Sequence, residues 1–415
     1  MRLFYVLGLT WFLASCNSSG EAENSEAICN VKDSLISCDG GYSYWIGDLF
    51  ATSQETIAVT GVKRERGQSR QWVAFVDSKL SQVLAEHSFP RKFKSDEHNA
   101  PAVIKLSNGW LVARTGHNDE FSDGQGLIQL AYFDEAFNLT FEQELFLANG
   151  ATYVQLLDIA SDIYLLTRDK ELGWGIFVKS EGNQDWSPWS RLKLSSGRNY
   201  VLMDKAPIDA SENILLTLAK HPLDLDQKII HTLIFAAELQ ARGELLDLNK
   251  ASKPITEFSI KNVNATNIRL LDVKVRDQST CHLRSMRVGS NWRLTLQVIE
   301  SSEPNIQPRH LELGTFSGML GDNVYITGAS IKQCASADGE LVKVLVTHKR
   351  DDNRYQLTEL VLDTQTSEII DEVSLYQSTK QLYRPVYIPA FDKVMVNEAE
   401  YWNTYENWRA NQIIF

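Results

Sequence analysis

Residues 98–119 read H-N-A-P-A-V-I-K-L-S-N-G-W-L-V-A-R-T-G-H-N-D, and this stretch decides the fold class. Val103-Ile104-Lys105-Leu106 is a short apolar run, and Trp110-Leu111-Val112-Ala113 is its return. Between them stands Ser107-Asn108-Gly109, and Asn-Gly is the strongest short hairpin signal. An antiparallel hairpin brings its two outer ends together. His98-Asn99 and His117-Asn118 are therefore expected side by side at one end of a sheet.

The same pattern continues in both directions. Short apolar or alternating runs recur between Gly, Asn, Asp and Ser, and helical periodicity is nearly absent. The runs group into units: 44–77; 101–114 with 127–133; 153–167 with 175–179; 200–219 with 229–237; 268–288 with 292–299; 319–330 with 341–348 and 355–362; and 384–397 with 411–415. A period of about 40–55 residues, three or four strands each, indicates a β-propeller. The expected fold is all-β, a seven-bladed β-propeller spanning 29–415 as one domain; a β-sandwich or two all-β domains are the alternatives. The short strand 412–415 should complete a blade begun elsewhere in the chain, leaving no open edge. The polar segment 250–267 reads as a long inter-blade loop.

The chain has 415 residues, with 41 Lys and Arg against 53 Asp and Glu, a net charge of −12. That balance argues against a nucleic-acid partner, which needs clustered cations. Ten Trp and fourteen Tyr suit β structure, and flat rings also stack on sugar faces. At the N-terminus, Arg2 precedes an apolar run from Leu3 to Leu13, the length of a signal peptide and too short to span a membrane. Leu13-Ala14-Ser15-Cys16 looks like a bacterial lipobox. Residues 1–15 are then a removed signal, Cys16 carries lipid, and 16–28 form a polar tether. These features predict a monomer anchored by lipid alone in a Gram-negative envelope, at the outer membrane.

An exported body is expected to hold disulfides. Cys29, Cys38, Cys281 and Cys334 allow three pairings. Cys29–Cys38 is favoured as short-range, which leaves Cys281–Cys334. The competing reading is a structural metal site at Cys281, His282 and Cys334, which lacks a visible fourth ligand.

By hairpin logic Tyr153 and Arg168 in the next unit should also meet, at positions equivalent to His98 and His117. Arg198, Tyr200 and His221 follow in the fourth unit, and Arg384 in the last. Two His, a Tyr and several Arg suit β-elimination at a uronic acid, which needs no cofactor. A guanidinium neutralises charge growing on the carboxylate. His or ionised Tyr removes the C5 proton, and a neutral Tyr protonates the departing O4. A lone His at a strand end (His221, His231, His282, His310, His348) is more often a hydrogen-bonded structural residue.

H-N-A-P-A with T-G-H-N, then T-Y-V-Q-L and L-L-T-R, resembles the propeller family described as BNR-repeat-containing, which includes the ulvan lyases of polysaccharide lyase families 24 and 25. The likeness continues through Arg198-Asn199-Tyr200, Lys220-His221-Pro222 and Arg384-Pro385-Val386. It implies a propeller cleaving ulvan, an acidic sulfated rhamnose–uronate polysaccharide. The family's catalytic His, Tyr and Arg would fall on His98, His117, Tyr153 and Arg168. Substrate contacts would fall on Asn99, Asn118, Arg198, Tyr200, His221 and Arg384. Two features depart from the pattern. Ile229-Ile230-His231 lacks the neighbouring tyrosines, and Ser180–Trp186 is only a loose Asp-box. Two other functions compete: a sialidase-like hydrolase, which leaves the paired His unexplained, and a glycan-binding surface protein without catalysis.

Overall fold

The computed structural model describes residues 27–39, 50–65, 68–90, 100–115, 126–159, 162–169, 171–180, 185–191, 200–208, 214–220, 229–237, 254–261, 265–276, 279–288, 291–300, 309–312, 326–335, 341–350, 352–399 and 410–415. These residues are almost entirely β-strand, with one short 3-10 turn at Pro389–Phe391. An N-terminal hairpin comprises β1 (Cys29–Lys32) and β2 (Leu35–Asp39). Six four-stranded antiparallel sheets follow, each built in chain order.

The first contains β3 (Phe50–Thr52), β4 (Thr56–Glu65), β5 (Gln68–Asp77) and β6 (Val83–Ser88). The second contains β7 (Ala102–Leu106), β8 (Gly109–Thr115), β9 (Gly126–Phe133) and β10 (Leu139–Leu147). The third contains β11 (Ala151–Ile159), β12 (Asp162–Asp169), β13 (Gly173–Lys179) and β14 (Ser190–Arg191). The fourth contains β15 (Tyr200–Ile208), β16 (Ile214–Lys220), β17 (Ile229–Ala237) and β18 (Pro254–Lys261). The fifth contains β19 (Ala265–Arg276), β20 (Ser279–Val288), β21 (Asn291–Glu300) and β22 (Arg309–Glu312). The sixth contains β23 (Ile326–Gln333), β24 (Leu341–Lys349), β25 (Tyr355–Asp363) and β26 (Glu368–Ser378).

The remaining sheet joins the two ends of the chain. Its order is β27 (Gln381–Ile388), β28 (Lys393–Ala399), β29 (Ala410–Ile414), β2, β1. Ile36 pairs with Ile414 and Asp39 with Asn411. The last strand thus completes a sheet with a distant segment, as its shortness predicts. The Glu86 carboxylate on β6 accepts from the backbone N–H of Ile28 (2.9 Å) and Cys29 (2.5 Å), tying this hairpin to the first sheet.

The architecture is propeller-like. First strands of successive sheets pack together: β3 on β7, β7 on β11, β15 on β19, β19 on β23 and β23 on β27. The cores lie between sheets. Val103, Trp110 and Val112 pack with Val73 and Phe75 of the sheet before, while Ile104, Leu111 and Ala113 pack with Leu156, Leu165 and Phe177 of the sheet after. A strand covered on both faces has no polar side, so β8 is buried along its whole length. That explains why Trp110–Ala113 is a continuous apolar run. The outer strands alternate instead and are largely exposed, as in β6 and β26.

One detail corrects the sequence reading, a second sharpens the turn, and a third bears out the favoured cysteine pairing over the metal alternative. Within the segment 250–267, residues 254–261 and 265–267 are strand rather than loop: β18 pairs with β17 over most of its length, and β19 starts at Ala265. The β7–β8 turn places Ser107 and Asn108 between the paired Leu106 and Gly109, so Gly109 opens the returning strand. A glycine is needed there, because φ is +151° and a Cβ would lie 1.9 Å from the Phe133 carbonyl oxygen. The cysteines form the disulfides Cys29–Cys38 and Cys281–Cys334. Cys281 and Cys334 are therefore not thiolate ligands, which removes the metal reading of that pair. Their bridge joins the fifth and sixth sheets within a shared core.

Candidate functional site

The site end of each sheet is where its first strand begins and its second strand finishes. In the third sheet, Ala151 pairs with Asp169 and Val154 with Thr167, so Thr152 and Tyr153 together oppose Arg168. This is a β-bulge, a device that re-aims side chains and recurs beside active sites. Tyr153 and Arg168 are therefore cross-strand neighbours, and both are half-buried.

Asp169 fixes this corner. Its carboxylate is buried, and Oδ1 accepts from the backbone N–H of Glu171 (2.9 Å) and Leu172 (2.8 Å). Asn149 Nδ2 donates to both carboxylate oxygens, at 3.2 and 3.4 Å. One side chain thus ties the approach to β11 to the exit from β12, on either side of Tyr153 and Arg168. The sequence reading passed over Asp169, although an Asp closing a strand just before a Glu-Leu-Gly turn is a recognisable turn signal.

Beneath this end lies a repeated polar lock between sheets. Thr60 Oγ1 donates to the Pro101 carbonyl (2.5 Å), and Thr115 Oγ1 to the Ala151 carbonyl (3.0 Å). Gln412 Nε2 donates to the Thr60 carbonyl (3.2 Å), and Gln71 Nε2 to the Thr115 carbonyl (2.9 Å). Each bond crosses from one sheet to the next, so adjacent strand ends are held in register with one another. Arg114 is also buried. Its guanidinium donates to the Pro90 carbonyl and to Gln129 Oε1, and lies 4.6 Å from the centre of the Phe89 ring. A lone Arg inside the apolar run of β8 was the signal for it.

In the last sheet Arg384 has φ +50°, a conformation that costs a side-chain-bearing residue energy. It lies where the register shifts between Tyr383↔Asn397 and Val386↔Met395. A Cβ on Gly328 would stand 2.5 Å from the Arg384 amide nitrogen, so glycine is required for this approach of β23 to β27. Tyr200 begins β15 opposite Lys220. His98, Asn99, His117, Asn118, Arg198, His221 and Cys16 lie outside the described residues. The strands from which the two His-Asn pairs continue do converge: Ala102 of β7 faces Ala113 of β8.

Two of the lone histidines are buried in strands. His348 Nε2 bonds Thr358 Oγ1 at 3.2 Å, and burial pulls its pKa down to about 4. His282 is likewise fully buried. Among the described residues no group of three or more His, Cys, Asp or Glu could hold a metal ion.

The fold and this site define an all-β protein of repeated four-stranded sheets with a Tyr–Arg pair on a bulged strand end. No family model matches the chain, and no curated protein matches it. Among solved structures it is similar to polysaccharide lyase Uly1, with 9% identity, a TM-score of 0.46, and coverage of 90% of this chain and 92% of that one. It is also similar to the WD40 domain of SCAP from fission yeast, with 9% identity, a TM-score of 0.42, and coverage of 93% and 94%. A third is Drosophila Plexin A in complex with Semaphorin 1b, with 8% identity, a TM-score of 0.48, and coverage of 91% and 87%. These proteins differ in activity, and similarity at this level carries no functional assignment.

Proposed function

We propose that this chain is a seven-bladed β-propeller lyase of the BNR-repeat-containing type, cleaving an acidic, uronate-containing polysaccharide such as ulvan. The observation that carries the reading is the bulge that sets Tyr153 opposite Arg168. β-Elimination suits that pairing: a cation to stabilise the enolate-like charge on the carboxylate, and a phenol near the C5–H and C4–O4 bonds.

In this reading Arg168, with Asn99, pairs with the uronate carboxylate. His98 or Tyr153 takes the C5 proton, and Tyr153 returns one to O4 as the C4–O4 bond breaks. His117 orients the site or acts as base on the opposite sugar face. Asn118, Tyr200 and His221 contact neighbouring sugars, and Arg198 and Arg384 bind sulfate. The strained backbone of Arg384 supports a role for it, since such strain persists where function favours it. The mature protein is a monomer held to the envelope through lipid on Cys16.

Incubation of the purified protein with ulvan should yield unsaturated uronyl ends, read by ultraviolet absorbance. Saturated products would favour a hydrolase. Binding without cleavage would favour a capture protein. Full activity in Tyr153→Phe would remove Tyr153 from the mechanism.

A further inference from the structure

Asp185, in the loose Asp-box that has no part in the chemistry above, borders a cleft. The cleft has a volume of about 590 Å3 and lies between the second and third sheets. Its walls include the β7–β8 turn at Asn108 and the β9–β10 turn at Asp134, so it opens at the end away from Tyr153 and Arg168. This volume falls within the roughly 300–1,000 Å3 range of small-ligand clefts.

Its aromatic wall is presented by a bulge. Leu139 pairs with Phe133 and Phe141 with Tyr132, so Thr140 is the extra residue, and its Oγ1 donates to the Tyr132 carbonyl (3.0 Å). Phe141 is 57% exposed, as is Phe146 further along the same strand, and its ring centre is 5.7 Å from that of Tyr132. The Tyr132 hydroxyl is held from two sides. Lys179 Nζ and Trp186 Nε1 each stand 3.2 Å from Oη, and both groups can only donate. The phenol oxygen therefore accepts twice, and its own O–H remains to donate to a ligand. Lys179 also lies 4.8 Å over the Tyr132 ring. Asp134, Asp185 and Asn108 also line the cleft, and the Asp134 carboxylate accepts from the Asn138 N–H (2.8 Å) and Nδ2 (3.1 Å), leaving each oxygen a further lone pair.

We propose that this cleft binds an uncharged, hydroxyl-rich saccharide unit. Phe141 offers a flat apolar face to the C–H side of a sugar ring. Tyr132 donates to a sugar oxygen, and Asp134, Asp185 and Asn108 accept from hydroxyls. Two carboxylates against one ammonium disfavour a uronate or sulfate, so the ligand is an uncharged sugar. The proposal is independent of the lyase reading: the cleft would bind sugar whether or not the other end cleaves it.

The test is an NMR titration of the whole protein with three probes: methyl rhamnoside, xylotriose and trigalacturonate. At least one neutral probe should bind saturably. Phe141→Ala, at an exposed position, should weaken that binding at least tenfold, and Tyr132→Phe should weaken it while keeping the ring. Tyr153→Phe should leave it unchanged. Three results would each overturn the proposal: no binding of either neutral probe, unchanged binding in Phe141→Ala, or tighter binding of trigalacturonate than of the neutral probes.

Discussion

The two disulfides close loops of very different length, and their removal should cost correspondingly different amounts. Cys281–Cys334 spans 53 residues and Cys29–Cys38 spans 9. Cross-linking lowers the entropy of the unfolded chain by an amount that rises with the logarithm of loop length. At 25 °C this corresponds to about 4 kcal/mol for the long loop and about 2.6 kcal/mol for the short one. All four cysteines are buried, so the loss of sulfur packing is similar in both cases and largely cancels in the comparison. The double variants Cys281→Ala/Cys334→Ala and Cys29→Ala/Cys38→Ala should therefore differ by about 1.5 kcal/mol, or roughly tenfold in the unfolding equilibrium. Equilibrium unfolding in guanidinium chloride measures this directly, with both variants compared to the oxidised protein. The long bridge also spans two sheets, so its loss should not be rescued by pairing within either one. Equal costs, or a larger cost for the short loop, would refute the entropic argument.

Two further predictions concern single side chains. Asp169→Ala strands two backbone N–H groups and the Asn149 amide, and should cost on the order of 2–4 kcal/mol. Asp169→Asn keeps an acceptor for the turn but sets one amide NH2 against another, so it should fall between Ala and wild type in a thermal melt. A result with Asn as damaging as Ala would place the stabilisation in the charge rather than in the turn. His348 is held neutral, with its pKa lowered to about 4 from an ordinary 6.5. The unfolded chain therefore takes up a proton before the folded one does. Stability should fall as pH drops from about 6.5 to 4, by at most ~3 kcal/mol from this group, and should be fully present above 6.5. His348→Gln should flatten that part of the stability–pH curve, and an unchanged curve would exclude His348 as the source.

Much of the strand content was legible because its signals are local. The Ser107-Asn108-Gly109 turn, the apolar runs on either side and the spacing of the units needed only neighbouring residues to be recognised. The pairing of Tyr153 with Arg168 followed from the same hairpin logic, although the bulge at Thr152 and Tyr153 was not visible. The outer strands were harder. β26 is largely exposed, with polar residues along much of its length, and polarity reads as loop. Arg114 escaped because its partners, the Pro90 carbonyl and the Gln129 side chain, are brought near by folding, whereas the turn that Asp169 holds is local and only its Asn149 partner is distant.

By itself, then, the sequence determined most of the inner strands and which chemistry their ends can offer, since side-chain period and turn residues act over a few positions. Only the tertiary structure decided how the ends of the chain meet. Gln412 donates to the Thr60 carbonyl across 352 residues, and nothing in either local sequence records that contact. It also chose one cysteine pairing among three, and it formed the cleft beside Phe141. Each of these depends on the packing of one sheet against the next, which is a property of the whole chain rather than of any short segment.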